Sequence, residues 1–162
     1  MSTAVPATSG SDRRRARPGL ILLALTVAAS SFALMQAVIV PALPIVQRDL
    51  GTSTEWAAWT ISIYLLSASV ATPLLGRLGD QFGKDRMLLV TLVIFTAGSI
   101  LSIFAWNISS LIVFRAIQGI GGAVYPLCFS IIRDEVPAKR MGVAMGLISS
   151  MLGVGGGLGL VM

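Results

Sequence analysis

Five stretches of this chain, residues 19–40, 56–76, 87–105, 109–132 and 141–162, hold between them a single charged side chain, Arg115. The hydrocarbon core of a bilayer is about 30 Å thick and is crossed by roughly 20 helical residues. Each stretch meets that length within its boundary error. No water reaches the backbone inside lipid, so an open sheet edge cannot sit there and a spanning segment must be helical. The expected fold is therefore an all-α membrane protein with five transmembrane helices. The composition agrees: 12% of residues are charged, against roughly 25% in soluble domains.

Composition also narrows the chemistry. The chain has no histidine, which removes imidazole catalysis and His-ligated metals, and its one cysteine, Cys128, forms neither an intrachain disulfide nor a zinc cluster. No catalytic residue, metal or cofactor is expected. A Ser/His intramembrane protease is excluded by the missing histidine. The Gly-x-Gly-Asp of intramembrane aspartyl proteases is approached only by Arg77-Leu78-Gly79-Asp80, which lacks the first glycine and sits in a charged connection.

Residues 1–18 are polar and end in Arg13-Arg14-Arg15-Ala16-Arg17-Pro18, the composition of a disordered tail. The tail holds four Lys/Arg, the second-to-third connection three (Arg77, Lys84, Arg86) and the fourth-to-fifth three (Arg133, Lys139, Arg140); the connections on the other side hold Arg48 alone. Ten against one places the amino terminus in the cytoplasm of a cell (plasma) membrane protein. The tail arginines flank a span, so lipid rather than nucleic acid is the partner expected for them. The first apolar run is too long for the core of a signal peptide. Thr52-Ser53-Thr54-Glu55 reads as a capping box opening the second span, and Trp56, Trp59 and Trp106 fall where an interfacial aromatic belt belongs. Asn107-Ile108-Ser109 matches a glycosylation tripeptide, but lies hard against the bilayer and is treated as a chance match.

Three patterns remain beyond topology. The first is GRLGDQFGKDR, residues 76–86, with five charges and three glycines. The positive-inside rule accounts for its basic residues. It accounts neither for Asp80 nor for Gly79 and Gly83. The second lies in the fourth span: Leu111, Arg115, Gln118, Gly119, Gly121, Gly122 and Ala123. Arg115 would sit roughly 9 Å into that span at 1.5 Å per residue, and a buried arginine there costs a few kcal/mol unless it meets water or a partner. Arg115, Gln118, Gly119, Gly122 and Pro126 share a helical face, which reads as a cavity lining or a close helix contact; snorkelling of Arg115 to the headgroups is the other reading. The third is the glycine series of the fifth span: Gly142, Gly146, Gly155 and Gly159. Small residues at such spacing permit close helix approach. Thr26 and Ser30 on the first span, with Gln36 at the edge of that face, and Thr60, Tyr64 and Ser67 on the second, form polar stripes that suit a cavity lining and interhelical hydrogen bonding equally well.

These patterns resemble signatures of the major facilitator superfamily of secondary transporters. Gly76, Leu78, Asp80, Gly83, Lys84 and Arg86 match G-x-L-x-D-x-x-G-[RK]-x-[RK], which in that family lies between the second and third helices. The fourth-span pattern resembles L-x(3)-R-x-x-Q-G-x-G-x-A. Gly146, Gly155 and Gly159 resemble the antiporter pattern G-x(8)-G-x(3)-G-P-x-x-G-G, with Leu160 where the proline stands. Ala42-Leu43-Pro44 resembles the end of D-x-T-I-V-N-V-A-L-P of the fourteen-helix drug/proton antiporters, with Met35 at the aspartate's position. The resemblance implies a partial amino-terminal bundle of that fold, a fragment whose partner is the missing carboxy-terminal part of the transporter. It implies transport of an unidentified small molecule, with export of drugs or metabolites and proton coupling as the specific expectations. It further implies a cytoplasmic latch at Asp80 and a coupling role for Arg115. No span carries Asp or Glu, so a titrating carboxylate for proton coupling would have to be Asp49, Glu55 or a group outside this chain. The competing expectation is a non-transporting membrane protein, an assembly subunit or a truncated product without function.

Overall fold

The computed structural model describes residues 18–161, with side-chain surroundings through Met151 and at residues 153, 154 and 157. The tail expected to be disordered lies, apart from Pro18, outside the described residues. Every regular element among the described residues is helical: α1 (Pro18–Asp49), α2 (Thr54–Phe82), α3 (Lys84–Ile103), α4 (Ile108–Gly119), a 3₁₀ turn (Ile120–Ala123), α5 (Val124–Glu135) and α6 (Ala138–Val161). Four units are long and apolar enough to cross a membrane: Gly19–Asp49, Thr54–Phe82, Lys84–Ile103, and Ile108–Glu135, which joins α4, the turn and α5. The fifth, α6, has 24 residues and spans about 36 Å at 1.5 Å per residue.

The helices run beyond the apolar windows. α1 continues past residue 40 through Pro41 and Pro44 to Asp49. A proline removes one backbone donor and crowds the carbonyl four residues back; here the helix tolerates both. α2 likewise continues past Gly76 to Phe82. Its start also corrects the expected cap. Ser53 rather than Thr52 is the N-cap, its hydroxyl accepting from the Trp56 N–H at 3.4 Å, and the third helical position is Trp56, so Glu55 closes no capping box. The capping box lies instead at α4: Asn107 accepts from Ser110 N at 2.7 Å while Ser110 Oγ accepts from Asn107 N at 3.3 Å. The Asn-Ile-Ser tripeptide is therefore a helix start.

α1 packs mainly along α6 and also touches α5, while α2 and α3 pack on α4, the 3₁₀ turn and each other. Phe32 of α1 ties the groups together, with its ring centroid 5.3 Å from Phe95 of α3 and 5.5 Å, edge-on, from Tyr125 of α5. The Tyr125 hydroxyl donates to the Ala29 carbonyl of α1 at 3.2 Å. Leu65, Leu66, Val70 and Leu74 of α2 and Leu89 and Val93 of α3 face outward. Apolar surface so continuous is untenable in water and is what a lipid-facing helix presents. Trp56, Trp59 and Trp106 are exposed at the end of the bundle that carries Gly51; the opposite end carries the Gly83 turn and the α5–α6 connection.

Candidate functional site

Two constellations occupy different depths. At the Gly83 end, the segment expected as a charged loop is almost entirely helix. Gly76 to Phe82 form the last turns of α2, Lys84, Asp85 and Arg86 form the first turn of α3, and Gly83 alone joins them. Gly83 takes φ +100°, a conformation that a Cβ disfavours, and its N–H returns to the Gly79 carbonyl at 3.0 Å. Gly79 is buried, and a Cβ there would come 3.1 Å from Leu127 Cδ2 of α5. The two glycines do different work: Gly83 permits the turn, while Gly79 lets α2 approach α5.

This hairpin fixes its charges unequally. Lys84 Nζ donates to Asp134 Oδ2 of α5 at 2.6 Å and lies 3.6 Å from Asp80 Oδ1. The Asp80 side chain is 71% exposed, against 19% for Lys84. Lys84 is thus held between elements, while the Asp80 carboxylate stays open to a further donor. Gly79, Asp80, Gly83, Lys84, Asp134 and Glu135 line an open cleft of about 320 Å³. Leu78 is partly buried against the core, whereas Gly76 would meet nothing within 4 Å if it bore a Cβ. Asp134 was missed by sequence reasoning, because a Lys/Arg count disregards acidic residues and nothing local pairs positions fifty apart.

Deeper, Arg115 of α4 is half-buried and donates from Nη1 to Gln118 Oε1 at 2.7 Å. Gln118 is fully buried and donates from Nε2 to Ser99 Oγ of α3 at 2.7 Å. Ser99 in turn donates to the Phe95 carbonyl at 2.8 Å. Direction in this chain is forced: a guanidinium cannot accept, so Gln118 must present oxygen to it and nitrogen to Ser99. Arg115 therefore folds back onto its own helix rather than only reaching for the headgroups. Ser99 carries no pattern in sequence; it is found only because α3 and α4 pack antiparallel with Gly98 against Gln118, where an added Cβ would be 2.9 Å from Gln118 N.

The glycines of the fourth span separate two contacts. A Cβ at Gly119 would lie 2.5 Å from the Tyr64 carbonyl, and one at Gly122 2.6 Å from Ala68 Cβ, both on α2. A Cβ at Gly121 would collide with Phe95 of α3. Close helix contact, not a shared polar cavity face, explains Gly119 and Gly122, and Pro126 is exposed. Ser67 adds an interhelical bond, donating to the Ala116 carbonyl at 2.6 Å. Thr26, Ser30 and Thr60 instead donate to carbonyls of their own helices, a local alternative open to hydroxyls in apolar surroundings. Two buried polar atoms, Gln36 Oε1 and the Tyr64 hydroxyl, have no hydrogen-bond partner among the described residues.

In α6, Gly142 and Gly146 are exposed and a Cβ at either would meet nothing within 4 Å, so their spacing mediates no close approach among the described residues. The face of α6 that does pack is Ala144 and Ile148. The surroundings of Gly155 and Gly159 lie outside the described residues. The structure thus brings Asp80, Gly83 and Lys84 together with Asp134, and Arg115 with Gln118 and Ser99. It keeps those two groups apart from the exposed Gly146.

A helical bundle with four units long and apolar enough to cross a bilayer, a charged glycine hairpin at one end and an arginine inside a span defines a multi-pass membrane protein. The chain belongs to the Major Facilitator Superfamily, whose family model matches residues 10–162. It is 32% identical over 147 residues to Multidrug resistance protein 3 of Bacillus subtilis, covering 90% of this chain and 28% of that protein. It is 37% identical over 112 residues to the Multidrug resistance protein B homolog of Mycobacterium tuberculosis, covering 67% and 21%, and 36% identical over 132 residues to the Acurin A biosynthesis cluster MFS-type transporter of Aspergillus aculeatus, covering 81% and 24%. The chain spans between 20% and 32% of the length of such relatives.

Proposed function

We propose that this chain supplies part of the amino-terminal bundle of a secondary transporter that exports drugs or small metabolites across the cell membrane. The observation that carries the reading is the unequal fixing of charge at the Gly83 hairpin. Lys84 is tied to Asp134, while Asp80 stays exposed at the rim of the cleft. A carboxylate so placed suits a second helical bundle, where a helix N-terminus would attract it. The hairpin then acts as a latch that holds one of the two states of an alternating-access cycle. The count of ten Lys/Arg at this end against one at the other supports a cytoplasmic position for the latch and the amino terminus. Two relatives named for multidrug resistance favour export.

The test is energised efflux of ethidium from membrane vesicles containing the whole transporter. Asp80→Asn is expected to lower efflux severalfold with unchanged membrane insertion. Loss of insertion in that variant would make the hairpin a structural element and remove the latch.

A further inference from the structure

The outer face of α3 carries an apolar groove of about 380 Å³, lined by Leu89, Leu92, Val93, Thr96, Ala97 and Ile100. Among the described residues no other helix contributes to its lining. Leu89, Val93, Thr96, Ala97 and Ile100 are all exposed. Ala97 has the shortest side chain of the six and lies one turn from Val93 on one side and from Ile100 on the other. One charge stands at the mouth of this groove. Arg86 precedes Leu89 by three residues and Val93 by seven, which puts it on the same helical face. It is exposed, and both salt bridges among the described residues go to Lys84 instead. Its neighbour Asp85 lines the cleft on the α5 side with Lys84 and Asp134. Arg86 is thus the charge offered to whatever fills the groove.

Length and charge together select the occupant. From Leu89 to Ile100 the groove runs about 17 Å at 1.5 Å per residue, close to half of a hydrocarbon core about 30 Å thick. A partner helix would need a seam along the whole core. An acyl chain of one leaflet needs half of it, and its phosphate lies at headgroup level, where Arg86 opens α3. A guanidinium holds phosphate oxygens by paired hydrogen bonds. The Gly83 end carries ten Lys/Arg against one at the other, which favours a lipid of net negative charge. We propose that Arg86 and the α3 groove bind one acidic phospholipid, with an acyl chain along Leu89 to Ile100 and the phosphate on the guanidinium. The site requires only that α3 crosses the bilayer and is independent of what the protein transports.

The test uses the whole transporter in vesicles of equal parts phosphatidylglycerol and phosphatidylcholine, with one or the other lipid carrying a diazirine midway along an acyl chain. After illumination, the labelled peptides are identified by mass spectrometry. Labelled phosphatidylglycerol is expected to mark residues 89–100 in excess over the outward Leu65, Leu66 and Val70 of α2, and labelled phosphatidylcholine to show no such excess. Arg86→Gln should lower the excess about fivefold, the effect of one basic side chain at a membrane surface. Ala97→Phe, which fills the groove from an exposed position, should remove it. If Arg86→Gln does not insert, Ala97→Phe decides. Equal marking by the two lipids overturns the site and makes this face ordinary lipid contact. Marking of α2 without residues 89–100 also overturns it, because another part of the transporter then covers the groove. So does an excess that either inserted variant leaves unaltered.

Discussion

Lys84 and Asp134 are separated by fifty residues of sequence and by 2.6 Å in space. Their contact ties the α2–α3 hairpin to the end of α5, while Asp80, 3.6 Å from the same lysine, keeps a largely exposed carboxylate. Holding the lysine while exposing the aspartate is the arrangement the proposed latch requires.

The strength of that tie should be small. The Asp134 side chain is 48% exposed, and water screens such a pair to no more than about 1 kcal/mol. A double-mutant cycle with Lys84→Ala and Asp134→Ala, read by chemical unfolding in detergent, should give a coupling energy under that figure. In the whole transporter the same substitutions should lower ethidium efflux severalfold at normal insertion. A weak contact can decide between two states that are nearly equal in energy, although it contributes little to the fold.

Gly119 and Gly146 should respond oppositely to alanine. A Cβ at Gly119 meets the Tyr64 carbonyl, a backbone atom that cannot turn aside, whereas one at Gly146 meets nothing. Overpacking of the first kind costs about 1–3 kcal/mol. Alanine in place of an exposed helical glycine is neutral or favourable by up to about 1 kcal/mol. Thermal unfolding of this chain in detergent separates them: Gly119→Ala should melt lower than wild type and Gly146→Ala no lower.

Gly83→Ala should be costly for a reason unrelated to space. Nothing lies within 4 Å of an added Cβ, but φ is +100°, and a strained backbone residue of this kind costs about 1–3 kcal/mol. Gly76→Ala, in the same motif with open space and no positive φ, should be neutral. Equal melting temperatures for the two variants would show that the hairpin relaxes around the substitution.

Ser99→Ala should strand the Gln118 amide. The variant removes the acceptor 2.7 Å from Gln118 Nε2. Hydrogen bonds between helices in membranes contribute about 0.6–2 kcal/mol, and the loss of stability should fall in that range. Combining Ser99→Ala with Gln118→Leu should cost less than the two changes summed, since they act on one bond. Strict additivity would mean that Ser99 does not orient Gln118.

Much of the architecture was legible because the bilayer imposes it. Long apolar runs mark where helices must lie, and a single intramembrane arginine marks itself as costly. The windows did not give helix lengths: α1 passes Pro41 and Pro44 to Asp49, and α2 absorbs the charged motif as far as Phe82, since helical hydrogen bonding does not stop where hydropathy does. The glycine patterns were visible, but their partners were not. Gly119 and Gly122 find α2, Gly121 finds α3, and Gly146 finds nothing among the described residues.

The sequence by itself determined an all-helical membrane bundle, the placement of Asp80, Gly83 and Lys84 at one turn, and the isolation of Arg115 among apolar residues. Those properties depend on local composition and spacing, which the solvent reads directly. Only the tertiary structure decided that Lys84 meets Asp134, that Gln118 faces Ser99, and that the Tyr64 hydroxyl is buried with no hydrogen-bond partner among the described residues. Each depends on which helix lies against which, and that is set by close packing over long sequence separations.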